Sequence, residues 1–313
     1  MKRQVTNKAF TVRPRGFGYN PETAATNPYQ HEVDLQGEAL ELEIWREYAS
    51  FYRRIRNHGV YTIEDLNSSQ DTPDAIFPNN WFSTHDNELM ILYPMMAENR
   101  RKEIRPDLLE FLHEYYEIPE IWDLRNEAQE GEYLEGTGSM IFDRAHQKVY
   151  ACRSARTNER LVKLVADRLG YEAIIFDAVG SDGKEVYHTN ILLTISDKLA
   201  ICCLDAIADE EQRQAVRASL EEDGLHLMEI RIDQMENFCA NAIVMDGDHG
   251  HWIFMSERAY QALDQDQQDY LESNLQILEL DVEYIEKIGG GSVRCMIAEM
   301  FLKPKLFDPD EQK

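Results

Sequence analysis

The chain has 313 residues, enough to bury a large core, and an apolar content of 43%, ordinary for a folded protein. Asp and Glu number 58 against 32 Lys and Arg; the net charge near -26 disfavours nucleic acid and anionic membrane as partners but leaves room for a local basic pocket. No apolar leader follows Met1-Lys2-Arg3, and no apolar run approaches the roughly 18 residues of a membrane span, so a cytoplasmic protein is expected.

In chain order, residues 5–15 predict a short strand, which Arg13-Pro14-Arg15-Gly16-Phe17-Gly18-Tyr19-Asn20-Pro21 interrupts. Residues 35–57 place Leu40, Ile44, Tyr48 and Phe51 at helical spacing, with aromatics suited to packing. In Pro73-Asp74-Ala75-Ile76-Phe77-Pro78-Asn79-Asn80-Trp81-Phe82, two prolines constrain the backbone. Its adjacent amides fit either a substrate-facing loop or a structural Asx turn. A strand at Glu88–Met95, a helix near 102–115 and a strand at Ile118–Leu124 follow.

The pattern then restarts. Glu135–Phe142 and Lys148–Cys152 precede a helix at 157–169 and a strand at Ala173–Phe176. His188–Ile195 and Leu199–Leu204 precede a helix at 209–222 and a strand at Leu225–Ile230. Asn241–Met245 and Trp252–Met255 precede a helix near 264–275 and a strand at 276–281. The starts fall at 80, 135, 188, 241 and 295, separated by 55, 53, 53 and 54 residues. Such regularity marks a supersecondary repeat. The last copy, Cys295–Phe301, is incomplete, and the N-terminal strand and helix can complete it. The expectation is one closed five-part α/β domain over residues 1–313, with Asn80, Glu135, His188, Asn241 and Cys295 facing one centre.

Three of these residues carry chemistry. The turn Ile288-Gly289-Gly290-Gly291-Ser292-Val293-Arg294-Cys295-Met296 delivers a cysteine from a backbone free to adopt unusual angles. Cys295 is the candidate nucleophile, although a lone cysteine is more often a small buried hydrophobe. The other cysteines, Cys152, Cys202, Cys203 and Cys239, form no CxxC pair with it or each other, which argues against a disulfide scaffold or thiolate zinc site. His188 is the one histidine at a repeat start and titrates in the range needed for proton transfer. Glu135, at the origin of an apolar strand, needs a cation, a histidine or a guanidinium ligand to offset burial. Together they predict attack on a carbon bonded to nitrogen, protonation of the leaving amine by His188, and hydrolysis of a covalent intermediate. That scheme requires neither metal nor organic cofactor.

In this order, Glu135-Gly136, His188 and Gly289–Met296 resemble the guanidino-group-modifying superfamily over nearly the whole chain. Its members include arginine deiminases, dimethylarginine hydrolases, agmatine deiminases, succinylarginine dihydrolases and glycine amidinotransferases. The resemblance implies a five-fold pseudosymmetric α/β propeller, the pentein fold, closed by N- and C-terminal segments. It also implies Cys295 as covalent nucleophile, His188 as general acid and base, and Glu135 as catalytic carboxylate.

Ser154-Ala155-Arg156-Thr157-Asn158 is similar to the family segment that offers an arginine to the substrate carboxylate, with Thr157 as a helix cap. Arg294 is the second basic candidate for the pocket, with stabilisation of neighbouring backbone or an acidic side chain as its alternative role, and Asp74 and Asn241 join the expected binding residues. Arginine-hydrolysing relatives usually carry Asp where this chain has Asn80, and many carry another where it has Asn190. An amide offers both donor and acceptor without charge, which favours a neutral ureido group such as that of citrulline, although Asp74 can compensate for a guanidinium. Pro73–Phe82, Glu135–Met140 and His188–Asn190 are similar to a citrulline-utilisation branch. The implied reaction converts citrulline to ornithine, ammonia and carbon dioxide. Arginine deimination, amidino transfer to an amine and an inactive binding scaffold are the alternatives. The expected partner is a small guanidino or ureido amino acid, and the resemblance is compatible with a homodimer.

Overall fold

A computed structural model describes residues 3–69 and 71–305 of the chain. They form five three-stranded sheets of one design. The first complete unit comprises β3 (Phe82–Thr84), β4 (Leu89–Leu92), α2 (Pro106–Tyr115) and β5 (Glu120–Asp123), after β1 (Lys8–Val12), α1 (Gly37–Asn57) and β2 (Tyr61–Asp65). The second comprises β6 (Ile141–Asp143), β7 (Lys148–Cys152), α3 (Glu159–Leu169) and β8 (Glu172–Phe176). The third contains β9 (Leu193–Ile195), β10 (Leu199–Cys202), α4 (Glu210–Glu222) and β11 (His226–Glu229). The fourth contains β12 (Ile243–Gly247), β13 (Gly250–Ser256), α5 (Gln265–Asn274) and β14 (Gln276–Leu280). Then come α6 (Glu283–Gly289) and β15 (Ala298–Glu299).

In every unit the first strand pairs antiparallel with the middle one, and the strand delivered by the helix pairs parallel with it, as a crossover connection requires. In the second unit, for example, Ile141 faces Tyr150 across the antiparallel pair and Lys148 faces Glu172 across the parallel one. The crossover helix α3 shows the local logic. Leu161, Val162, Val165, Ala166 and Leu169 repeat at helical spacing and are buried. Asn158 accepts from Leu161 N at its start, and left-handed Gly170 closes its end. Asn158, rather than the expected Thr157, is thus the cap.

The fifth sheet joins both ends of the described chain. β15 pairs antiparallel with β1 through Ala9 and Glu299, and β1 pairs parallel with β2 through Lys8 and Tyr61. The closed five-part α/β domain expected from the repeat, with the five-fold propeller that the resemblance implies, is the observed fold. Its last strand is shorter than the predicted run to Phe301, because Cys295 N and Met296 N bond Ser292 O and Val293 O to make a turn.

The repeat starts are these turns. Pro78–Asn80, Gly136–Ser139 and Thr189–Ile191 each make one helical turn before a first strand. Successive turns bond one another around the axis: Thr137 Oγ1 to Asn79 O at 3.3 Å, Thr189 Oγ1 to Ser139 O, Asn241 Nδ2 to Asn190 O at 3.0 Å, and Arg294 N to Asn241 O at 3.2 Å. Gly136 is needed where two turns meet, because its φ is +48° and a Cβ there would lie 2.4 Å from Asn79 O. Among the described residues, no helix is long and apolar enough to cross a membrane.

Candidate active site

The ring of turns encloses a small cavity lined by Thr23, Asn27, Asp74, Phe77, Asn80, Arg100, Arg156, Tyr187, His188, Gly289, Gly291 and Cys295. Its free volume is about 10 Å³. Cys295, His188, Asn80, Asp74 and Arg156, all singled out in the sequence, therefore line one space.

Glu135 is fully buried beside it, with Oε2 2.8 Å from His188 Nε2 and 3.5 Å from Arg156 Nη1, while Oε1 accepts from Met96 N. A carboxylate only accepts, so Nε2 of His188 carries the hydrogen and Nδ1 of the neutral ring is left as an acceptor. Burial alone would raise the Glu135 pKa, but the Arg156 guanidinium and the His188 hydrogen bond hold it well below the usual carboxylate range. Burial pushes His188 down to about 4 against the pull of Glu135. At neutral pH the pair is a carboxylate and a neutral imidazole.

Cys295 is 3% exposed, and burial raises its thiol pKa. Two amides oppose that shift: Asn190 Nδ2 donates to Sγ at 3.3 Å and Asn241 Nδ2 at 3.4 Å. Asn241 also accepts from Ser292 N, tying the cysteine turn to the neighbouring repeat start. Asn190 and Asn241 thus touch the sulfur rather than lining the open space.

Arg294 lies elsewhere. Its Nη1 donates to Ile297 O and its Nη2 to Glu299 at 2.9 Å, and it lines a different cavity with Gln4 and Arg144. Of the two readings of Arg294, pocket residue or partner of neighbouring backbone and an acidic side chain, the structure shows the second, and it does not line the cavity that holds Cys295.

Several lining residues were not evident in the sequence. Arg100 is fully buried, bonded through Nε and Nη2 to both oxygens of Glu103, through Nη2 to Phe77 O, and through Nη1 to Asn80 Oδ1 at 2.6 Å. Thr23 and Asn27 belong to a segment strapped across the cavity. Asn20 Nδ2 and Thr23 Oγ1 both reach Asp74 Oδ2 at 2.8 Å, Asn27 Nδ2 reaches Gly290 O, and Arg156 donates to Thr23 O and Thr26 Oγ1. Tyr187 closes another side by donating to Gly290 O.

Two of the residues lining the cavity carry a buried polar atom without a hydrogen-bond partner, Asp74 Oδ1 and Asn80 Nδ2; Asn190 Oδ1 and both side-chain polar atoms of Asn79 are likewise unpartnered. An orphaned buried donor or acceptor costs about 1–3 kcal/mol, so the pair at this cavity marks groups positioned for a ligand. Burial raises the Asp74 pKa, opposed chiefly by the Arg100 charge.

Five three-stranded sheets around an axis where Cys, His and Glu gather make up the pentein fold. The family model for N,N dimethylarginine dimethylhydrolase, eukaryotic, matches residues 13–302, and the chain belongs to that family.

Solved structures share the fold. A cyanobacterial arginine dihydrolase of the ornithine-ammonia cycle, ArgZ, superposes with a TM-score of 0.75 at 16% identity, covering 96% of this chain and 41% of its own. Its N-terminal domain, solved as a Cys-to-Ser mutant bound to substrate, gives 0.74 at 15% identity and covers 93% of this chain and 97% of that domain. A dimethylarginine dimethylaminohydrolase adduct with S-methyl-L-thiocitrulline gives 0.63 at 13% identity, covering 96% and 100% of the two chains. The chain thus spans less than half of full-length ArgZ. No curated protein matches it.

Proposed function

We propose that the chain, acting as one catalytic domain, hydrolyses the ureido group of citrulline to give ornithine, ammonia and carbon dioxide. The observation carrying this reading is Asn80 Nδ2. Arg100 has only donors, so the amide oxygen of Asn80 faces the guanidinium and its unpartnered NH2 is left as a donor. A ureido oxygen accepts such a bond, whereas a guanidinium has no acceptor to offer. Asp74 Oδ1, on the wall of the same cavity, supplies an acceptor for a substrate N–H group.

In this reading the Cys295 thiol loses its proton to His188 Nδ1 as Sγ attacks the ureido carbon. Asn80 stabilises the charge that develops on oxygen. His188 returns the proton to the departing amine, and the C–N bond breaks to release ornithine. The carbamoyl thioester left on Cys295 is then attacked by water, with His188 taking a proton. Cleavage of C–S regenerates the thiol and releases carbamate, which decomposes to ammonia and carbon dioxide. Glu135 holds the imidazole tautomer throughout. In the same reading Arg156 receives the substrate carboxylate.

A second reading has arginine or a methylated arginine as substrate. The acceptor on Asp74 favours it, and the comparisons support it better than the citrulline reading, the matching family being named for dimethylarginine hydrolysis. Another similar structure, a Cys-to-Ala mutant of AgrE, was solved with L-arginine. Here the first hydrolysis releases the terminal amine and leaves citrulline.

Separate incubations with citrulline, arginine and dimethylarginine, followed by mass spectrometry beside a Cys295→Ala control, test the two. Cysteine-dependent ornithine formation from citrulline is expected. Conversion of arginine to citrulline, with citrulline itself inert, would overturn the first reading.

A further inference from the structure

We infer that Arg100 and Glu103 are positioning residues that set the hydrogen-bond polarity of the substrate pocket by fixing the Asn80 side-chain amide in one of its two orientations. The inference rests on the ureido reading of the pocket and gives it a structural cause.

An asparagine amide is nearly symmetric in shape, so packing alone does not decide whether its oxygen or its nitrogen faces a cavity. Here the decision is electrostatic. The Arg100 fork spends Nε and one Nη2 hydrogen on Glu103, the other Nη2 hydrogen on Phe77 O, and Nη1 on Asn80 Oδ1. Rotation of the amide would turn its NH2 against a guanidinium that has no acceptor. Glu103 neutralises and orients Arg100 inside the protein; both side chains are at most 2% exposed. The fork therefore cannot reorient without breaking a buried ion pair.

The consequence is seen on the other side of the amide. A Cβ built on Gly138 would lie 2.4 Å from Asn80 Nδ2 and 2.7 Å from His188 Nδ1. Both atoms thus pack closely against Gly138, and Asn80 and His188 line the same cavity as Cys295. A pocket with an amide donor beside the catalytic imidazole matches an oxygen on the reacting carbon. The reverse amide orientation would present an acceptor and match a guanidinium N–H. Neither Arg100 nor Glu103 need touch substrate.

The test measures citrulline and arginine binding by calorimetry in a Cys295→Ala parent and in the same protein carrying Arg100→Met with Glu103→Leu. Replacing a buried ion pair by apolar side chains of similar size is often tolerated. Arg100→Lys, which keeps the charge but loses the fork, is the second variant, and thermal melting establishes which variants fold. The citrulline-to-arginine affinity ratio should fall at least tenfold in the double variant and at least threefold in Arg100→Lys. A ratio within twofold of the parent in a folded variant overturns the inference. Equal weakening of both ligands overturns it too, because that is all a purely structural pair would do. A parent that prefers arginine removes the ureido reading instead; a further shift toward arginine in the variants would still support amide positioning.

Discussion

Glu135 Oε2 lies 2.8 Å from His188 Nε2, and this contact leaves Nδ1 of the neutral ring as the atom available to accept a proton. Glu135→Gln keeps a hydrogen-bond acceptor at that position but removes the charge. We expect kcat/KM to fall by about 10²–10³, within the range for disabling proton transfer. The pH dependence is more diagnostic. Activity that needs unprotonated His188 is full above its pKa and disappears as pH falls through about 4. Because Glu135 raises that pKa, its removal should move the acid limb to still lower pH. An acid limb that stays put in the variant would belong to another group.

The same histidine affects stability. Its folded pKa is about 4 against an ordinary 6.5, so the folded state binds fewer protons than the unfolded chain between those values. Stability gained from this group is therefore present above about pH 6.5 and lost as pH falls toward 4. His188→Gln should flatten the change in Tm across that window. Thermal melts of both proteins from pH 4 to 7 provide the comparison, with equal slopes as the contrary result.

The cysteine offers a separate test. Asn241 and Asn190 direct N–H groups at Sγ and oppose the burial that raises the thiol pKa. Asn241→Asp replaces one donor with a negative charge at the same distance. Alkylation of Cys295 by iodoacetamide at pH 8 should slow at least about tenfold, and its pH midpoint should rise, as expected for a thiolate destabilised by a neighbouring anion. An unmoved midpoint would show that the amides do not control the sulfur.

Two glycines two residues apart separate folding from chemistry. Gly136 needs a positive φ, and a Cβ there meets backbone oxygen, so Gly136→Ala should cost about 1–3 kcal/mol of stability. Gly138 has no such φ, and its Cβ would meet Asn80 Nδ2 and His188 Nδ1 instead. Gly138→Ala should lower kcat by at least about 100-fold, while its stability loss stays within the roughly 1–3 kcal/mol of an overpacked site. Denaturant titration beside single-turnover assays distinguishes the two; comparable activity loss per folded molecule in both would contradict the assignment.

These cases show what the sequence disclosed. A turn that must bond its neighbour recurs in every unit, so its spacing of 53 to 55 residues exposed both the ring and the residues at its axis. Arg100 stands outside that register. Its acidic partner three residues later resembles an ordinary surface helix pair, and only tertiary packing reveals a buried fork beneath Asn80. Thr23 and Asn27 reach the site from a segment whose only regular element is the single helical turn Pro21–Ala24, too short for periodicity to mark it. Arg294 entered the candidate list through adjacency to Cys295, but side chains next to each other in a tight turn need not share a cavity.

The strap makes opposite predictions for two residues in contact. Thr23 and Asn27 line the small cavity that holds Cys295, so a substrate bound there meets the segment of residues 20–30. Arg156 is held from Nε and Nη2 by Thr26 Oγ1, at 2.9 and 2.7 Å. If the substrate carboxylate takes over this guanidinium, Thr26→Val removes a competing internal partner and should lower KM by roughly 3–10-fold, the scale of one charge-assisted hydrogen bond. Arg156→Lys loses the planar fork and should raise KM at least about tenfold with a smaller change in kcat. Steady-state kinetics with each variant reads both signs. A raised KM in Thr26→Val would mean that the strap helps to form the binding site, rather than competing with substrate for Arg156.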